Sequence, residues 1–237
     1  MKIGVLLTGH TSFAWLQEQL EKKQATRLGL NTYVHGFYGK TEVVAVSTSH
    51  GKVATSLAAT VLAIHFSVDQ LFLFGFCGSL RNNIIPGDII VPESFVQYDA
   101  DVSALGGTTC EIPLHGFSRF SANKDLTHRI IEILSLSKEI KQGSLHRGCM
   151  GSADTFVADR QRRNRISKIS PEILTVDMES ASLAHVGYEY NLPIAVIKLV
   201  SDTADHSAVS EYESFIKEGE KTLLPPLISK LLSHVTT

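Results

Sequence analysis

The stretch PIAVIKLVSDTAD, residues 193–205, decides the fold class of this chain. From Ile194 to Val200 every residue except Lys198 is apolar. Alternation is absent, and so continuous a run belongs to a strand covered on both faces, in the middle of a sheet. Working outward, KIGVLLT (2–8), EVVAVST (42–48), QLFLFG (70–75) and GDIIVPE (87–93) also read as short strands. Between them KVATSLAATVLAIHF (52–66), KDLTHRIIEILSL (124–136), ESASLAHVGYEY (179–190) and residues 210–232 carry helical spacing. Pro225 and Pro226 fall inside the last of these and should bend or break it. Strands alternating with helices imply a three-layer α/β/α domain whose ligands gather at the carboxyl ends of the strands. The longer irregular stretches, 99–118 and 202–210, are the expected pocket walls.

Composition narrows the function. At 237 residues, with no linker, repeat or low-complexity segment, the chain reads as a single domain over 1–237. Hydrophobic residues make up 43% and charged ones 19%, a globular balance. A net charge of -2 offers no general attraction to nucleic acid or anionic lipid, so the expected partner is a small molecule. MKIGVLLTGH lacks the apolar length and cleavage site of a secretory signal, and no run approaches the ~18 apolar residues that span a bilayer. Three cysteines without a CxxC pair argue against a disulfide framework or structural zinc, and the expected compartment is cytoplasmic.

Three stretches can carry chemistry. In FGFCGSL (74–80), Gly75 and Gly78 let the backbone turn and approach a flat or anionic ligand, although a plain strand-to-loop turn uses the same residues. The spacing is not GxGxxG and no helix follows, which speaks against a dinucleotide site. In SDTAD, Asp202 ends the most apolar strand; partial desolvation should raise its pKa and suit it to general acid work, the alternative being a turn cap. In VDMESASLAHV (176–186), Glu179 either serves the helix start or accepts two hydroxyls, as a ribose diol offers, with Met178 lying against the sugar. The ten histidines show no metal spacing, DRQRRNR (159–165) reads as a solvated helical face, and Ser12, Ser79 and Ser201 lack a GxSxG context.

Read in order, MKIGVLL, SHGKVATSLAAT, GFCGSL, PGDIIVPESFVQYDADVSALG, GSADTFV, VDMESASLAHV and VSDTAD resemble the purine nucleosidase branch of the nucleoside phosphorylase superfamily, typified by methylthioadenosine/S-adenosylhomocysteine nucleosidase. The resemblance implies a nucleoside phosphorylase-like fold with a central mixed sheet, a homodimer, and hydrolysis of the bond between a purine and a 5′-modified ribose with no metal or cofactor. By matching position, Asp202 would protonate the purine, Glu179 and Met178 would grip the ribose, Phe156 would stack on the base, and the Val157 backbone would read its edge. Phe76, Gly78 and Val102 would join the substrate contacts. Tyr212 would close the 5′ pocket of the neighbouring subunit, and Asp177 would serve the turn rather than the ligand.

The chain also departs from that pattern. The family orients its attacking water with a glutamate, and Ser12 stands there in GHTSFAW, with Phe76 and Lys198 in place of its helpers. His10 and Ser12 are the remaining candidates to hold water. A catalytically silent nucleoside-binding protein is one alternative; a phosphorylase is another, although GHTSFAW has no arginine to hold phosphate. In the 5′ pocket, Gly9, Leu105 and Gly107 replace long side chains and His50 replaces an apolar one. A larger, carboxylated 5′ group is therefore favoured, as in aminodeoxyfutalosine or futalosine of the alternative menaquinone route.

Overall fold

The computed structural model describes residues 1–136 and 144–235. Strand β1 (Lys2–Leu7) leads to helix α1 (His10–Gln19), then β2 (Glu21–Leu28), β3 (Asn31–Tyr38), β4 (Thr41–Ser47) and α2 (Lys52–Ile64). Next come β5 (Gln70–Ser79), β6 (Ile89–Gln97), the short β7 (Phe120–Ser121), α3 (Lys124–Ser135) and β8 (Leu145–Ser152). The chain ends with α4 (Arg160–Ile169), β9 (Ile173–Asp177), α5 (Ser180–Glu189), β10 (Ile194–Asp202), α6 (Ala208–Glu218) and α7 (Leu224–His234). All strands join one mixed sheet, and β10 pairs with both β5 and β6, so that β5, β9, β8, β6 and β10 close on themselves. One apolar cluster lies under α1, α3 and α7 and a second under α2 and α5, which makes the layered single-domain α/β fold expected from the apolar runs.

The hairpin β2–β3 and strand β8 escape an apolar reading. EKKQATRL of β2 is almost wholly exposed because it is the terminal strand of the sheet, where charges protect an open edge. β5 runs on to Ser79, so Gly75 and Gly78 lie within a strand and make no turn. The two prolines act just upstream of themselves. They occupy the first turn of α7, and without their N–H groups the preceding residues, Gly219–Leu223, form one turn of π-helix between α6 and α7. No helix among the described residues is long and apolar enough to cross a membrane.

Candidate active site

The carboxyl ends of β1, β5, β9 and β10 converge on a cavity of about 380 Å³, within the range of small-molecule sites. Thr8, Phe76, Gly78, Asp177, Ser201 and Asp202 come from the strand ends; Phe156 and Val157 from the loop after β8; Met178 and Glu179 from the turn into α5. His50 before α2 and Tyr212 on α6 complete the rim. The rings of Phe156 and Tyr212 meet edge to face with centroids 5.4 Å apart, leaving a half-exposed aromatic wall for a flat ligand.

Asp202 is 2% exposed. Its Oδ2 accepts from Ser201 Oγ at 2.8 Å and its Oδ1 from the Ala204 amide at 2.9 Å, yet burial outweighs both and raises its pKa. The register pairs Asp202 with Gly78, where any Cβ would stand 2.7 Å from Asp202 Oδ1. Gly78 thus admits the acid. Gly75 likewise admits Thr8 and Lys198, whose Oγ1 and Nζ lie 2.2 and 3.1 Å from its ideal Cβ position. These glycines allow close approach, as read from sequence, but to side chains of the same chain.

Glu179 stands at the N-cap position of α5, but its side chain makes no capping bond. Its Oε2 accepts from Lys198 Nζ at 3.0 Å, and its Oε1 from His50 Nδ1 at 3.2 Å and the Gly51 amide at 3.3 Å. Burial alone would raise its pKa, but Lys198 and His50 pull it well below the carboxylate range, and the same bond raises that of His50. Asp177 takes the start of α5, accepting from the Ser180 amide at 3.1 Å, and also pairs with Lys198 Nζ at 2.9 Å. Lys198, wholly buried in the middle of β10, stays charged because the two carboxylates more than offset its desolvation. Sequence reading placed Lys198 among altered residues without a partner; its charge inside an apolar run was the available signal.

The family model described as Phosphorylase superfamily matches residues 2–224. The chain belongs to the phosphorylase superfamily. It is 31% identical to a 5′-methylthioadenosine/S-adenosylhomocysteine nucleosidase from Streptococcus pneumoniae, solved with a transition-state inhibitor, over 98% of both chains with a TM-score of 0.88. It is 25% identical to the futalosine hydrolase of Helicobacter pylori over 98% of this chain and 97% of that one, with a TM-score of 0.89. A methylthioadenosine/S-adenosylhomocysteine nucleosidase from Colwellia psychrerythraea, solved with adenine, shares the fold at 24% identity, covering 99% of this chain and 96% of its own, with a TM-score of 0.91.

Within this superfamily member, the structure brings together Asp202, Phe156, Val157, Met178, Glu179, Phe76, Gly78, His50 and Tyr212. Other expected residues lie elsewhere in this chain. Val102 is not on the cavity wall: its Cγ2 lies against Gly107, within its own loop. The stretch 99–118 does not line this chain's cavity, and Leu105 and Leu114 are fully in solvent. Tyr212 lines the cavity of its own chain because α6 packs on β10, whose end holds Asp202. Ser12 is buried and donates to Gly9 O at 3.1 Å, and His10 Nδ1 faces Ser47 Oγ, so both side chains are engaged within their own surroundings. The space at Gly9 is filled by Glu220, whose Oε1 lies 2.4 Å from an ideal Cβ there.

The fold also gathers His115, His185 and Glu189, with ligand atoms within 4.8 Å of one another. Lys52 Nζ fixes the Gln97 amide so that its Nε2 donates to His185 Nδ1. In a neutral His185 the proton is then on Nε2, facing Glu189.

Proposed function

We propose that this chain is a purine nucleosidase, hydrolysing the N-ribosidic bond of a 5′-modified purine nucleoside. The observation that carries this reading is Asp202, a buried carboxyl with a raised pKa at one end of a cavity that also holds an aromatic wall and an oriented carboxylate. With the base against Phe156 and Tyr212 and the diol on Glu179, Asp202 would hand its proton to the purine as the C1′–N bond breaks. Asp177, Glu179 and Lys198 together leave one negative charge facing the sugar, which stabilises a ribosyl cation. The same charge disfavours phosphate, and the cavity wall carries no arginine, so water is the better nucleophile. Product analysis in phosphate-free buffer tests this: free base is expected, and base appearing only after phosphate is added would make the chain a phosphorylase. Binding without base release would make it a silent binder.

For the 5′ group, a carboxylated substrate such as aminodeoxyfutalosine is supported by His50 alone, a half-exposed imidazole on the rim whose pKa is raised by its bond to Glu179. Faster release from aminodeoxyfutalosine than from methylthioadenosine and S-adenosylhomocysteine side by side is the result this reading requires. A homodimer would complete the site. Val53, Leu57 and Ile64 form an exposed apolar stripe on α2, and Leu105 and Leu114 stand out on the nearby irregular stretch, ready to cover a second copy.

A further inference from the structure

Hydrolysis needs a group that holds the water and takes its proton as the new C1′–O bond forms. Among the carboxylates of the cavity wall none is free for this. Asp202 carries the proton for the base, and Asp177 is committed to Ser180 and Lys198. Glu179 has one oxygen on Lys198 and the other on His50 and Gly51. Ser12 offers no base, and its hydroxyl donates within its own turn.

We propose that Glu220 holds and deprotonates the attacking water. This rests on the hydrolase reading above. Glu220 sits in the π-turn between α6 and α7 and reaches back across the fold to the start of α1, where its Oε2 accepts from the Thr11 amide at 3.0 Å. That bond orients the carboxylate and leaves Oε1 over Gly9, the residue that follows cavity-lining Thr8. The neighbouring Gly219 packs on the ring of Phe76, which lines the cavity, and the charge of Glu220 acts on two other lining residues, His50 and Tyr212. Half-buried, Glu220 stays open to water. Two features of this chain make the placement possible. Gly9 has no Cβ to collide with the carboxylate, and the prolines at the head of α7 open the π-turn that presents it. In the balanced step, the Asp202 proton and the electron pair of the broken C1′–N bond go to the base. Water oxygen bonds C1′, the water proton passes to Glu220 and then to solvent, and Asp202 regains a proton from solvent.

The test is steady-state and product analysis of full-length Glu220→Gln and Glu220→Ala, with Glu218→Gln on the exposed face of α6 as control. Glu220→Gln should lower kcat by about 10²-fold with KM within roughly threefold, while the control keeps full activity. Azide, a nucleophile needing no base, should restore turnover of Glu220→Ala and yield the ribosyl azide. Gly9→Ala, which pushes the carboxylate aside without removing it, should show the same kcat loss. Unchanged kcat in the Glu220 variants beside an active wild type would overturn the assignment alone, as would a loss that azide leaves unrepaired. A wild type that releases no base from any nucleoside would remove the hydrolase reading itself.

Discussion

Two buried side chains set opposite electrostatic demands. Asp202 binds its proton more tightly in the folded chain than in the unfolded one, burial being the main cause. Its contribution to stability is therefore full below the ordinary aspartate value of 3.8 and is lost as pH rises through the raised folded value. Above that folded value its charge is a cost. Asp202→Asn should thus lower kcat by about 10² to 10⁴-fold while leaving Tm at pH 7 unchanged or higher, as calorimetry beside a base-release assay would check. Glu179 has the reverse sign: its folded pKa is depressed, so its contribution holds above 4.5 and fades as pH falls below that value. Lys198 makes this possible, and Lys198→Met would leave two carboxylates buried without their cation. A loss of about 3–5 kcal/mol in urea unfolding is expected. Asp202 was legible as an acid from its place at the end of an apolar run. The partners of Lys198 were not, because they come from β9 and the turn into α5, and no spacing along the chain connects them.

At the scale of elements, strand β5 is built around what its glycines admit. Gly78→Ala would put a methyl group 2.7 Å from Asp202 Oδ1 and 3.2 Å from Ala204 Cβ, neither of them the end of a long flexible chain. The acid must move, and a shift of even 1 Å costs on the order of 10²-fold in rate, with about 1–3 kcal/mol of overpacking strain. Comparing kcat with the unfolding midpoint would show activity falling further than stability; activity at the wild-type level would mean that Asp202 can relocate freely. The core strands β1, β4, β6 and β10 announce themselves because burial on both faces demands continuous apolar residues. β2 and β8 do not, since an edge strand keeps its charges and β8 carries small and polar residues. The break before α7 was expected from Pro225 and Pro226, but its form, a π-turn carrying Glu220 towards α1, was not.

At the scale of the molecule, the exposed stripe on α2 predicts self-association. Leu57→Glu should convert a dimer to a monomer in sedimentation equilibrium, with Tm falling by a few degrees and KM rising as the neighbouring loop is lost. A wild type that sediments as a monomer would show that each cavity works with its own walls alone.

The sequence by itself determined the layered α/β fold, the strand ends as the site, and Asp202 as the residue to watch, because apolar continuity and a terminal carboxylate are local properties written along one strand. Only the tertiary structure decided that Lys198 neutralises Glu179, that Tyr212 lines the cavity of its own chain, and that a carboxylate 209 positions from Thr11 fills the space at Gly9. Such contacts depend on how strands close into a ring and how the C-terminal helices lie across it. Residues far apart in the chain then meet without leaving any periodic trace in either segment.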